Sequence, residues 1–252
     1  MVRLAAIFPP TQPPERIVAV AAAADTAGLA ELWVWEDCFK ESGIATATAM
    51  LAATSRVTVG IGLLPVPLRN PALAAMEIAT VARMFPGRFL PGLGHGVIPW
   101  MVQAGAAVAS PITLLREYTL AVRALLAGER VSTEGRYVRL DDVGLEWPPA
   151  SPPPLMIGGH GPKTLRLAGE LADGLLLGSV ESLDEVRAAR AAVDAVRGDR
   201  PFQVVLNLPI DDVGAMADQV AAATAAGADV IVLEPPEDAP DPMPLIAALS
   251  RS

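Results

Sequence analysis

Residues 154–179 read PLMIGGHGPKTLRLAGELADGLLLGS. Residues 155–158 are an apolar run of strand length, a glycine-rich turn follows, and Pro162 suits the first position of a helix, where its missing N–H is not needed. Gly174 marks the far end of that helix, and residues 174–177 form a second apolar run. Strand, helix and strand in so few residues is the unit of a parallel sheet. Gly158, Gly159 and Gly161 fall beside the free amides at the helix start, with Lys163 in its first turn. Unpaired N–H groups and the positive helix end favour an anion there. The same residues also suit a tight strand-to-helix turn and nothing more, and their spacing is neither the dinucleotide-binding nor the Walker pattern.

Outward from this unit the pattern repeats. Apolar runs at 2–8, 32–35, 57–63, 89–93, 202–208 and 228–233 read as strands. Helix starts lie between them at Thr11-Gln-Pro-Pro-Glu, Asn70-Pro71, Ser110-Pro111, Ser182, Asp211 or Asp212, and Asp241-Pro242, with a further helix over 44–53. Eight strands alternating with about eight helices predict a (β/α)8 TIM barrel, a single domain over residues 1–252. An open doubly wound sheet fits less well, because no nucleotide fingerprint follows the first strand. Residues 131–140 predict a small excursion of paired strands, and the proline-rich 148–154 a stiff connector.

Hydrophobic residues make up 52% of the 252 and charged residues 19%, so most of the chain is folded. A net charge of −9 repels nucleic acid, and any anionic ligand needs a local basic site. One cysteine, Cys38, excludes an internal disulfide and suits a reducing, cytoplasmic setting; no secretory leader is evident. Residues 89–115 lack any charged side chain and are long enough to span a bilayer, but Pro91, Pro99, Pro111 and the glycines argue for a buried strand and an apolar loop, so no membrane partner is expected. Two histidines and no clustered cysteines give no metal-ligand spacing.

In such a barrel the chemistry sits at the C-terminal strand ends. These are Phe8 and Pro9; Trp35, Glu36, Asp37 and Cys38; Gly62, Leu63 and Leu64; Gly92, Gly94, His95 and Gly96; Gly158, Gly159 and His160; Gly178 and Ser179; Asn207; and Glu234. Glycine at four of these ends means that backbone lines much of the mouth, which suits a flat, rigid ligand. His95, whose ordinary pKa of about 6.5 lies near working pH, is the first candidate for proton transfer. Asp37 is the second, and either is open to a plainer reading. For His95 the plainer reading is a ring satisfied by a neighbouring group, and for Asp37 a cap on the next segment or a pair with Arg69. If the strand persists, Glu36 and Asp37 point to opposite sides. Cys38 has no basic neighbour to activate it and reads as packing. Trp33, Trp35 and Trp100 suit either the core or a ring stack.

The end of strand two (WVWEDCF), the run VGIGLLPVPLRNPALAAMEIATVARMFPGRF, the strand-four end GLGHG, the segment LLREYTLAVRALLAGERVSTEGRYVRL and PLMIGGHGPKTLRLAGELADG occur here in an order that resembles the luciferase-like monooxygenase superfamily. Within it, the chain is most similar to the deazaflavin (coenzyme F420) oxidoreductases. The resemblance covers nearly the whole chain and implies a TIM barrel with F420, or alternatively FMN, at its mouth. It implies that Asp37 lies near the ring and substrate, with Cys38 where the family often has histidine. Gly62 and Leu63 match a bulge behind the central ring, which in the family carries a non-proline cis peptide. Gly94, His95 and Gly96 match the loop beside the ring. Gly159, Gly161, Pro162 and Lys163 match the region that receives the ribityl-phosphate side, with His160 in the same loop and Gly178 and Ser179 on the next strand end. The resemblance further implies a small organic substrate and a homodimer, and a separate flavin reductase only for FMN. Two departures stand out: the insertion loops are short, and Val97 occupies the place of a glutamate that serves proton transfer in some deazaflavin dehydrogenases. Cofactor binding without catalysis is therefore a further expectation to test, and a phosphate-sugar barrel enzyme a more distant one.

Overall fold

The computed structural model describes residues 2–178 and 180–250. Its strands are β1 (Arg3–Phe8), β2 (Glu31–Val34), β3 (Thr58–Pro65) and β4 (Phe89–Gly94), then β5 (Val131–Glu134) and β6 (Arg139–Val143), then β7 (Met156–Gly158), β8 (Gly174–Leu177), β9 (Gln203–Pro209) and β10 (Val230–Glu234). Eight of them pair in parallel and close into a barrel in the order β1-β10-β9-β8-β7-β4-β3-β2, while β5 and β6 form the separate antiparallel excursion. The TIM barrel expected from the strand-helix alternation is the fold.

The outer ring comprises α1 (Ile17–Ala27), α2 (Gly43–Ala52), α3 (Pro71–Met84), α4 (Ile98–Gln103), α5 (Pro111–Leu126), α6 (Pro162–Leu171), α7 (Leu183–Arg197), α8 (Met216–Ala225) and α9 (Met243–Leu249). Local chemistry sets their ends. Asn70 Oδ1 accepts the Ala72 N–H at 2.9 Å ahead of Pro71, and Gly28 ends α1 with a left-handed φ of 78°. Two details differ from the sequence expectation. The apolar stretch after β4 is partly helical (α4). And α8 starts at Met216, because the Asp212 carboxylate first accepts the Gly214 N–H at 2.8 Å and closes a turn.

Alternation along the strands splits the core in two. Ala5, Ile7, Trp33, Leu90, Met156, Leu176, Val205, Val230 and Val232 pack inside the barrel, and their sequence neighbours, such as Ala6, Leu32, Ile231 and Leu233, pack against the helices. The N-terminal end of the barrel is closed by polar contacts. Glu31, almost fully buried, accepts Arg3 Nε at 2.8 Å and Trp33 Nε1 at 3.0 Å. Asp173 and Asp229 accept the N–H groups of Leu155 and Val204, each at 2.8 Å, tying adjacent strands together at that end. The opposite mouth is left open. Among the described residues no helix is long and apolar enough to cross a membrane.

Candidate active site

Two concavities compete. The larger, about 850 Å³, lies at the N-terminal ends of β7, β8 and β9 against Pro152, Pro153 and Arg123. Its cations are already committed: Arg123 pairs with Asp173 at 2.8 Å, and Arg200 donates to the carbonyls that end α6. The smaller, about 280 Å³, opens at the C-terminal mouth, where barrels of this kind place their chemistry. The mouth is the better candidate.

Its floor is backbone. The register of β3 against β4 shifts between Ile61 and Leu64, and the Gly62–Leu63 peptide within the shift is cis. Leu63 reaches across the barrel into space that two glycines leave open. A Cβ built at Gly94 would lie 2.3 Å from Leu63 Cδ2, and one at Gly158 2.4 Å from the same atom. Side chains at those positions would displace Leu63, so glycine here serves the shape of the floor. Gly62, Leu63, Gly96, Gly159, His160 and Gly178 all line the cavity, whereas Gly94 lies behind Leu63. Ser179 falls outside the described residues.

His95 lines the wall, and its Nε2 is 2.9 Å from the Thr164 hydroxyl in the first turn of α6. Burial pushes its pKa below the ordinary histidine value, only partly offset by the Pro111 carbonyl, so at neutral pH the ring is uncharged. Held by Thr164, it is placed to orient a ligand or relay a proton. His160 lines the mouth from the end of the adjacent strand, β7. The N-terminus of α6 stands beside it: Gly161 is the cap, Pro162 the first helical residue, and Thr164 and Leu165 return their N–H groups to the Gly161 carbonyl. The amides of His160, Gly161 and Lys163 have no hydrogen-bond partner among the described residues, and the Lys163 side chain is exposed.

Asp37 is not part of the cavity lining. Burial pushes its carboxyl up, with Lys40 opposing. Its expected partner, Arg69, is taken by its neighbour. Both Arg69 guanidinium Nη atoms bind the Glu36 carboxylate, Nη2 at 2.7 Å from Oε2, and Arg69 Nε is 3.2 Å from Glu77 Oε2. The reason is that β2 stops at Val34, so strand alternation no longer decides which of the two acids turns inward. Glu36 does line the mouth, and its Oε2 also accepts the Gly43 N–H at 2.7 Å. Burial and the adjacent carboxylates Glu36 and Asp37 push the Cys38 thiol up, which leaves it a poor nucleophile. Trp33 is core, its indole N–H fixed by Glu31, while Trp35 and Trp100 are half-buried at the rim.

Sequence reading placed Asn207 and Glu234 at strand ends and gave neither a role. Asn207 lines the cavity from β9. Glu234 closes β10 and has the parity of Val230 and Val232, which point into the barrel. It is 8% exposed, its Oε1 has no hydrogen-bond partner among the described residues, and burial pushes its carboxyl up to about 7 against a lowering contact from Asn207. The signal in the sequence was a lone acid ending the otherwise apolar run VIVLE.

Residues 3–211 match the model of the luciferase-like monooxygenase family. The chain belongs to that family. Among curated relatives it is 29% identical over 230 residues to a 5,10-methylenetetrahydromethanopterin reductase of Methanolobus tindarius, covering 89% of this chain and 68% of that protein. It is 37% identical over 132 residues to an F420-dependent glucose-6-phosphate dehydrogenase of Nakamurella multipartita, covering 51% of this chain and 39% of that one. The coenzyme F420-dependent tetrahydromethanopterin reductase structure from Methanopyrus kandleri superposes with a TM-score of 0.85 at 17% identity, over 99% of this chain and 97% of that chain, a likeness of fold. For a luciferase-like barrel the mouth is a coherent binding surface. A glycine-made floor accepts a flat ring, and free amides with Lys163 form a local positive place on an otherwise acidic protein.

Proposed function

We propose that the chain is an oxidoreductase that moves a hydride between coenzyme F420 and a small organic substrate. The observation that carries this reading is that the sequence relatives just described are F420-dependent enzymes or reductases of the same family, and that the mouth has a matching shape. Bound there, a deazaflavin would supply a two-electron hydride carrier. The chain's own residues do the rest. Gly62, Leu63, Gly96, Gly158 and Gly159 support the ring, and the amides at Gly161 and Lys163, with the Lys163 ammonium, hold the phosphate side. Leu63, Trp35 and Trp100 exclude water from one side of the reacting centre, and His95, fixed by Thr164, orients the polar end of the substrate. Asp37, beside the mouth, shapes the entrance without entering the cavity.

The test is a fluorescence titration of the purified protein with F420 and, separately, FMN. F420 is expected to bind, and Lys163→Ala to weaken it roughly tenfold or more through loss of a charge-assisted contact, with FMN the weaker ligand. Binding of FMN alone would turn the reading to an oxygen-dependent monooxygenase fed by a separate flavin reductase; F420 binding with no turnover over a broad substrate panel would leave a carrier protein. One luciferase-like domain over residues 1–252, a cytoplasmic setting and a homodimer belong to the same proposal. Exposed Val97, Ile98 and Val102 around α4 are one apolar surface available for pairing. A monomeric mass by light scattering at working concentration would exclude the dimer.

A further inference from the structure

The F420 reading leaves a gap in the proton inventory. Hydride transfer to a carbonyl or imine needs a proton at the heteroatom, and the one acid among the described residues lining the mouth, Glu36, is held by Arg69 and the Gly43 N–H. Across the barrel, four strands from β4 in either direction, β10 ends in Glu234. Its side chain has the inward parity and stands one pleat above Val232; it is not itself part of the cavity lining but borders Asn207, which is. More than nine-tenths of the residue is buried, yet Oε1 has no hydrogen-bond partner among the described residues. An unpartnered polar atom so enclosed is costly unless something else completes it. Its register partner on β9 is Pro209, the ionised residue of β1, Arg3, sits level with Val230 at the other end of the strand, and no charge contributes to its titration. Among the described residues this carboxyl makes no ion pair and caps no helix, and Asn207 is the polar side chain against it.

Resting on the F420 reading, we propose that Glu234, at the end of β10, is the proton donor and acceptor of the reaction. In the reducing direction the substrate carbonyl carbon accepts a hydride from the reduced deazaflavin, and the π pair of the C=O bond moves to oxygen. Glu234 releases its proton to that oxygen, forming the O–H bond, and is left as a carboxylate that solvent reprotonates. The substrate gains two electrons and the deazaflavin loses two. In the oxidising direction the carboxylate takes the hydroxyl proton as the hydride leaves. Asn207, bordering the carboxyl, is the positioning residue.

The experiment has three readouts. In apo-protein with ¹³C-labelled glutamate, one carboxyl resonance is expected to titrate near 7 and to vanish in Glu234→Gln. A raised value means that the folded state holds the proton more tightly than the unfolded chain. Wild-type stability therefore falls as pH climbs from about 4.5 to about 7, whereas that of Glu234→Gln does not follow. F420 affinity of Glu234→Gln is expected within threefold of wild type. With reduced F420 and a panel of small ketones, aldehydes and imines, kcat of Glu234→Gln is expected to drop about 100-fold with little change in KM, and the limb of the pH profile near 7 to disappear. A carboxyl that titrates near the ordinary glutamate value, or full activity of the variant, overturns the role of Glu234 and leaves the cofactor reading standing. Failure of wild-type protein to bind F420 overturns the cofactor reading, and the role of Glu234 with it, whatever the titration gives.

Discussion

Arg69→Met is expected to cost about 3–5 kcal/mol of stability, the range for removing one partner of a buried ion pair. Arg69 is 14% exposed, Glu36 8% and Glu77 27%, so removal of the guanidinium strands two enclosed carboxylates. Burial alone would lower the arginine pKa, yet it is raised, because the Glu36 hydrogen bonds and the Glu36 and Glu77 charges outweigh desolvation. The contact also has structural reach. Glu36 holds the Gly43 N–H at the start of α2 and lines the mouth, so the pair ties the end of β2, the helix after it and the site together. Arg69→Lys keeps the charge but not the planar fork that serves both glutamates, and it is expected to lie between wild type and Arg69→Met. Urea unfolding at pH 7.5 reads this directly. A deficit under about 1 kcal/mol at pH 7.5 would mean that the pair behaves as a surface bridge.

Much of the barrel was legible because its signals are redundant. Apolar runs recur in every unit, and proline or asparagine at the helix start or glycine beyond its end in most of them, so a weak signal in one place was supported by its neighbours. The glycine-rich end of β7 and the start of α6 were equally plain, since Pro162 and the capping Gly161 each fix a boundary. Where the reading went astray, periodicity had stopped. After Val34 the backbone leaves the strand, and alternation could not say that Glu36 rather than Asp37 would meet Arg69. After Gly94 a run rich in proline and glycine read as loop, although Val97 and Pro99 begin the short helix α4. Glu234 was placed correctly at a strand end and passed over, because burial and the absence of a partner are tertiary facts. Sequence tells which residue ends a strand, and the closed barrel decides what encloses it.

Gly92→Ala is expected to cost about 3 kcal/mol or more, at or above the upper end of the usual range for overpacking. A Cβ on Gly92 would lie 2.4 Å from Leu176 Cδ1 and 2.4 Å from the Ile61 carbonyl oxygen. The leucine can turn away, but the carbonyl belongs to β3 and cannot move without shifting the strand. That carbonyl immediately precedes Gly62 and Leu63, where the register between β3 and β4 already shifts, so the displacement is delivered to the floor of the mouth. Gly92→Ala should therefore also weaken F420 binding by about tenfold or more, equivalent to about 1.4 kcal/mol. Gly161→Ala is the control for stability. A Cβ there meets nothing within 4 Å, and its φ of −69° suits any residue, so its loss is expected within about 1 kcal/mol, the ordinary cost of alanine at a helix cap. Urea midpoints for both variants, with F420 titration of Gly92→Ala, separate the two cases. Equal midpoints would mean that the barrel absorbs a methyl group at β4 by moving side chains alone, and that its glycines reflect ligand contact rather than the close approach of two strands.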